Sequence, residues 1–144
     1  MVVYADTSFL LSLYTADANH EAAVALLKHG KTVIPFTLIQ RHELRNAVRL
    51  QVYRKDMSGQ EGDAVLRNIE ADVQGGFLPA TGVAWPDVFV EAEALSAAHT
   101  EQMGIRGMDI LHVATARAIG AREFYTFDNR QKSLAGKAGM RVNS

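Results

Sequence analysis

Compact apolar runs alternate along this chain with stretches whose apolar residues recur every three or four positions. That alternation predicts strands interleaved with amphipathic helices. Val2-Val3-Tyr4-Ala5 is the first run and predicts a buried central strand. It stops at Asp6-Thr7-Ser8, small polar residues suited to capping a helix, and Phe9 to Tyr14 then predicts a short one. Glu21 to His29 predicts a second helix, with Ala22, Leu26 and Leu27 in line and Gly30 as its stop. Thr32-Val33-Ile34-Pro35 predicts a second strand that ends at Pro35, since proline cannot donate to a sheet ladder. Thr37 opens a long helix to about Tyr53. Its periodicity sets Ile39, Glu43, Asn46, Ala47 and Leu50 on one mainly apolar side, and Arg41, Arg45 and Arg49 in a separate stripe turned away from Glu43.

Ser58-Gly59, with Glu61 and Asp63, starts another helix that ends at Gly75-Gly76, and Phe77-Leu78-Pro79-Ala80 predicts a third strand. Trp85-Pro86-Asp87 begins a helix with proline at its first position, running through Ala92, Leu95 and Ala98 towards Gly104. The next helix opens at Gly107-Met108-Asp109, where a first-turn carboxylate suits the helix dipole, and Asp109, His112, Val113 and Ala116 share one face. Glu123 to Phe127 predicts a fourth strand ending in Asp128. Asn129 to Ala138 gives a last helix, and Arg141-Val142 a short edge strand. Continuous apolar strands in the order β-α-α-β-α-α-β-α-α-β-α-β imply an α/β fold. The expected architecture is a three-layer α/β/α sandwich with a mostly parallel central sheet, in one domain spanning residues 1–144.

Composition narrows the setting. With 144 residues, 48% apolar, and a formal net charge of −1, the chain has the makeup of a globular protein with a sizeable core. The absence of cysteine excludes disulfides and thiolate metal sites and fits a cytoplasmic protein. No apolar run approaches the roughly 20 residues of a membrane span, and the first residues lack the basic start and long apolar core of a signal peptide. Near-neutral charge gives no global footprint for nucleic acid, so such binding would need a local surface such as the Arg41, Arg45 and Arg49 stripe.

Four carboxylates stand out by position. Asp6 ends the first strand, Asp128 ends the fourth, Asp109 starts the helix leading into it, and Glu43 lies on an inward helix face. Strand ends of a parallel sheet open at one edge, so Asp6 and Asp128 are expected as neighbours there, with Asp109 and Glu43 converging from helices. Four like charges packed together repel and would take up protons unless a cation sits among them. Hard oxygen ligands favour Mg²⁺, with Mn²⁺ as the alternative, over Zn²⁺. Such an ion suits phosphodiester hydrolysis, because it activates water and neutralises charge on the phosphate. His112, one turn from Asp109, could orient that carboxylate, contact the phosphate, or pack under the sheet. Trp85 reads as a packing residue at a helix entry, and His20, His29, His42 and His99 as surface or capping residues.

The pieces VVYADTSFLLSLY, HELRNA, GMDILHVATARA and FYTFDNRQKSLA, in that order, resemble the PIN domain, and within it the VapC-type toxins of bacterial toxin–antitoxin pairs. The resemblance implies that Asp6, Glu43, Asp109 and Asp128 are the metal-binding acids of an RNA-cleaving site. Ser8 and Asn46 would be its supporting polar residues. It also implies a homodimer held in check by a small VapB-like antitoxin. Some members carry a further acid just after the last aspartate. Asn129 and Arg130 stand there in this chain, so the resemblance does not extend to a second ion and leaves one or two open.

Rival readings are an acidic-pocket phosphohydrolase and a catalytically silent PIN-like module that binds RNA or protein. Ser8 stands where an aspartyl phosphatase needs a second acid, and Lys132 and Lys137 lie in the last helix rather than at a late strand end as a phospho-accepting domain requires. All four acidic positions are filled, which counts against the silent module.

Overall fold

Parallel pairing of two short strands sets the frame. In the computed structural model, which describes residues 2–27 and 32–142, the elements in chain order are β1 (Val3–Ala5), α1 (Thr7–Tyr14), α2 (His20–Leu27), α3 (Leu38–Tyr53), α4 (Gly59–Gly75), α5 (Trp85–Met103), α6 (Gly107–Ala118), β2 (Glu123–Tyr125), α7 (Asn129–Lys137) and β3 (Arg141–Val142). Val3 faces Glu123, Tyr4 faces Phe124 and Ala5 faces Tyr125 across β1 and β2, while β3 pairs in parallel with the other side of β2. The sheet order is therefore β1-β2-β3.

Alternation along the strands sorts the core into two layers. Tyr4 and Phe124 point into a cluster with Val88, Ala92 and Leu95 of α5, Ile110 and Val113 of α6, and Leu134 of α7. Val3, Ala5 and Tyr125 point the other way, towards Phe9 and Leu10 of α1, Ala23 of α2, Leu44 and Val48 of α3, and Ile69 of α4. Helices thus cover both faces, as the apolar strand runs require. Among the described residues no helix is long and apolar enough to cross a membrane.

Two expected strands are not formed as strands. The segments around Thr32–Pro35 and Phe77–Ala80 do run side by side. The Ile34 and Phe36 amides donate to the carbonyls of Phe77 and Pro79 at 3.1 and 2.9 Å, and the Thr81 amide donates to Phe36 at 2.9 Å. Only a single parallel bridge, Phe36 to Ala80, results. Pro79 stands where an N–H would have donated to the Ile34 carbonyl and made a second bridge, so the ladder cannot extend. The fourth expected strand is also shorter than its apolar run. It ends at Tyr125, and Thr126, the next residue, donates its hydroxyl to Asp6.

Helix limits follow the chain's capping residues. Ser58 and Glu61 form a reciprocal capping box at α4, Thr37 and Gln40 form another at α3, and Gly104 ends α5 in the left-handed conformation with φ 63°. The expected stop of the second helix at Gly30, and His29, lie outside the described residues. One helix is turned relative to expectation. The buried side of α3 is Gln40, Leu44 and Val48, while Asn46 and Leu50 are exposed and Glu43 is half-buried. The helix is rotated by about one residue step, roughly 100°. Gln40 accounts for this: its amide reaches under the helix to donate to the Ala5 carbonyl at 2.8 Å, locking the first turn of α3 onto the end of β1.

Candidate active site

The end of β1 and the end of β2 meet in register, and there the site begins. The Asp6 amide continues the ladder by donating to the Tyr125 carbonyl at 3.1 Å, so Asp6 lies beside Thr126. Asp6 is 3% exposed. Its Oδ2 accepts from the Thr126 hydroxyl at 2.6 Å, and its Oδ1 accepts from Ser8 Oγ at 2.7 Å and from the Phe9 amide at 3.1 Å. The last bond makes Asp6 the N-cap of α1. Ser8 Oγ in turn accepts from the Phe127 amide at 3.0 Å, stitching α1 to the segment after β2. Burial pushes the Asp6 carboxyl above its ordinary value, and the bonds from Thr126, Ser8 and Phe9 only partly offset that.

Asp128 follows two residues after Thr126. Its amide donates to the Thr126 hydroxyl at 3.0 Å, and its Oδ1 caps α7 by accepting from the amides of Arg130 and Gln131 at 2.8 and 3.0 Å. Asp109 sits in the first turn of α6, with Oδ2 3.6 Å from the Arg106 guanidinium. Burial raises its pKa; Arg106 pulls it down, while Asp128 and Glu43 push it further up. Those opposing contributions show the acids feeling one another's charge.

Glu43 reaches in from α3 and is held by two donors on one oxygen. His112 Nε2 lies 2.7 Å from Oε1, and the Thr7 hydroxyl donates to the same atom. Burial alone would raise the Glu43 pKa, but the His112 bond and charge, Thr7 and His42 together bring it below the ordinary value. His112, 1% exposed on α6, therefore orients Glu43 rather than Asp109, its neighbour on the same helix. Its other ring nitrogen meets the Tyr4 hydroxyl at 2.6 Å.

All four acids line one cleft of about 820 Å³, together with Thr7, Ser8, His112, Gln131 and the two cations Arg54 and Arg106. Asn46 is not on this wall. It lines a neighbouring groove of about 460 Å³ with Arg41, His42, Arg45 and Arg49. In that groove Arg41 pairs with Glu70 of α4 at 2.9 Å, and Arg45 approaches the same carboxylate at 4.0 Å. Several polar residues of the acidic site were not singled out from the sequence as site residues: Tyr4, Thr7, Thr126 and Gln131, with the cations Arg54 and Arg106. Thr126 had a signal, because it lies two residues before Asp128 and so on the same side of an extended chain.

The donor set fits a hard cation. It consists of carboxylates with hydroxyl support; burial holds the Asp6 and Asp109 carboxyls above their ordinary values, and at Asp109 the charges of Asp128 and Glu43 add to it, which a cation would relieve. The Gln131 amide, 2% exposed on the cleft wall, has neither nitrogen nor oxygen paired among the described residues, so the wall has unmet hydrogen-bonding capacity. Among the described residues no three His, Asp or Glu side chains are already gathered tightly enough to hold an ion. Each acid is instead drawn to its own donor: Asp6 to Thr126, Glu43 to Thr7 and His112, Asp109 to Arg106, and Asp128 to the α7 amides.

A family profile described as PIN domain matches residues 3–137, almost the whole chain. The chain belongs to the PIN domain family. Solved structures with the same fold include VapC20 of Mycobacterium tuberculosis, a toxin that cleaves the sarcin-ricin loop. It matches with a TM-score of 0.69 and 21% identity, over 99% of this chain and 99% of that one. FitAcB from Neisseria gonorrhoeae matches at a TM-score of 0.68 with 17% identity over 99% and 97% of the two chains. VapBC-1 from nontypeable Haemophilus influenzae matches at 0.67 with 12% identity over 99% and 96%. No curated protein matches this PIN domain by sequence.

Proposed function

We propose that this PIN domain is a metal-dependent endoribonuclease serving as the toxin of a type II toxin–antitoxin pair. The observation that carries the reading is the convergence of Asp6, Glu43, Asp109 and Asp128, from four separate parts of the fold, on one cleft in a chain of this family. These four would hold Mg²⁺, or Mn²⁺ in its place; Asn129 and Arg130 beside Asp128 favour one ion over two. When bound, the ion would activate water and neutralise charge on the scissile phosphate. The chain's own residues do the positioning. Ser8 and Thr126 hold Asp6, the α7 amides hold Asp128, and Arg54 and Arg106 at the cleft wall would draw in phosphate oxygens.

The groove beside the cleft would form the binding rim for RNA or for the antitoxin. Arg45, Arg49 and Asn46 contribute most there, and Arg41 least, because Glu70 already holds it. A VapB-like antitoxin and a second copy of the chain are the protein partners of this reading, in the cytoplasm where RNA is found. The fold likeness to VapBC-1 supports the first, and the exposed Leu38, Tyr53, Phe89 and Val90 side chains offer apolar surface for either.

The test is RNA cleavage by the purified chain and by single amide variants of the four acids. Each variant should lose nearly all activity while keeping its fold, EDTA should silence the parent, and Mg²⁺ or Mn²⁺ should restore it. Full cleavage by Asp109→Asn, free of contaminating nuclease, overturns the assignment.

A further inference from the structure

A Phe at position 4 would serve the core as well as the Tyr that is there. Tyr4 is fully buried, stacks on Phe124 with centroids 5.3 Å apart, and points among aliphatic side chains of α5 and α6. A hydroxyl at such a place is costly unless it is bonded. It is bonded to His112 Nδ1 at 2.6 Å, and His112 Nε2 is bonded to Glu43 Oε1 at 2.7 Å. Two consecutive short bonds thus run from the central strand, through α6, to the carboxylate on α3.

The direction of the chain follows from its far end. A carboxylate only accepts, so Nε2 carries the proton it shares with Glu43, and in the neutral ring Nδ1 is left to accept from the Tyr4 hydroxyl. His112 and Thr7 both fall on Oε1, and Oε2 takes no hydrogen bond among the described residues. Glutamate has three side-chain torsions and loses considerable rotamer freedom when fixed. A glutamate fixed before it meets a cation has already given up that freedom, as outer partners of metal-binding carboxylates generally arrange.

We propose that Tyr4 and His112 form a buried brace that fixes the Glu43 carboxylate with Oε2 open to the cleft, making both of them positioning residues of the site. The proposal rests on the reading of Glu43 as a metal-holding acid, and the test separates the two. Mn²⁺ binding is titrated without RNA, by the loss of the free-ion paramagnetic resonance signal, for the parent, Tyr4→Phe, Glu43→Gln and the double variant. The brace predicts that Tyr4→Phe weakens Mn²⁺ binding about tenfold, the lower end for loss of an outer partner, and that it weakens it no further once Glu43 is Gln. Equal weakening in both backgrounds would mean that Tyr4 acts on the fold at large, and the brace falls. If Glu43→Gln weakens binding and Tyr4→Phe does not, the brace falls while the metal reading stands. If Glu43→Gln has no effect, both fall. A second measurement needs no substitution. In protein carrying ¹⁵N-histidine, His112 should show its proton on Nε2 and a bare, hydrogen-bonded Nδ1. A bare Nε2 overturns the brace. Among substitutions at position 112, Gln, which can still present an N–H towards Glu43, should retain more Mn²⁺ binding than Leu. Equal loss in the two counts against it.

Discussion

Thr126 is the joint on which the acidic cleft turns, and replacing it with Val tests that with almost no change of shape. The side chain is fully buried, its hydroxyl donates to Asp6 Oδ2 at 2.6 Å, and it accepts from the Asp128 amide at 3.0 Å. Hydrogen bonds to a charged partner are worth about 1.5–3 kcal/mol, and an amide left without its acceptor adds up to about 1 kcal/mol where water can partly replace it. Thr126→Val should therefore cost about 2–4 kcal/mol. At about 2.1 cal/mol/K per residue, the unfolding entropy of a chain this long is about 0.3 kcal/mol/K, so the melting temperature should fall by roughly 7–13 °C. Thr126→Ser keeps the hydroxyl and should recover most of the loss.

The pH dependence of that loss carries the sharper information. Burial raises the folded Asp6 pKa above its ordinary 3.8 despite the Thr126 bond. The folded state then binds more protons than the unfolded one between those two values, so the stability contribution of Asp6 declines as pH rises through that window. Removing the Thr126 donor raises the folded value further and widens the window. The penalty of Thr126→Val should thus be smallest below the ordinary aspartate range and greatest above the raised value. Melting curves in EDTA, followed by circular dichroism from acid to neutral pH, read this directly. A variant as stable as its parent at neutral pH, or a penalty that grows on acidification, refutes the role given to Thr126.

Asp109→Asn removes one repelling charge from the cleft. In EDTA the variant should therefore be at least as stable as its parent and should lose the decline in stability that the raised Asp109 pKa produces as pH climbs past the ordinary aspartate value. Mn²⁺ at about 100 times its dissociation constant should stabilise the parent by about 2.7 kcal/mol, and the variant much less; equal gains in melting temperature would return Asp109 to a purely helix-starting role. Joint replacement of Arg45 and Arg49 by Gln should change stability by no more than about 0.5 kcal/mol per site. It should also lower the slope of log affinity for single-stranded RNA against log salt by about 1.4 in magnitude, and an unchanged slope would remove the groove from the RNA path. Gly62→Ala would set a Cβ 2.6 Å from Val52 Cγ2 where α4 crosses α3. Overpacking of about 1–3 kcal/mol should outweigh the helix gain of about 1 kcal/mol, and Val52→Ala should rescue it in a melting experiment.

Much of this fold could be read along the chain because its signals are local. Ser58 with Glu61, Pro86 at the start of α5, and Gly104 at its end each fix a helix limit through neighbours a few residues away, and the helices fall where those residues put them. What could not be read depends on distant partners. Pro79 ends a ladder only because Ile34 is its partner. Gln40 turns α3 only because the Ala5 carbonyl is within its reach, and that turn sends Asn46 to the arginine groove. His112 shows the same limit at the site. One helical turn makes Asp109 its obvious neighbour, yet its bond goes to Glu43, 69 positions away. The positions of the acids were legible, while the donors that aim them were mostly settled by packing.

The aspartates also show why a capping role and a site role need not compete. Asp6 and Asp128 each do what their sequence position suggests and cap the helix that follows, Asp6 through Phe9 and Asp128 through Arg130 and Gln131. In both, the capping bonds fall on Oδ1. A cap bond fixes the carboxylate's torsions relative to a rigid helix, and helix amides favour the charged form. The second oxygen is then presented from a known direction, backed by Thr126 in Asp6 and without a hydrogen bond among the described residues in Asp128. Two helix starts at adjacent strand ends therefore give two oriented carboxylates at no extra cost in side-chain ordering. Glu43, in the middle of α3, has no helix end to cap, and its hydrogen bonds come from two side chains alone, Thr7 and His112. Where an acid cannot be aimed by backbone amides, this fold aims it with side chains.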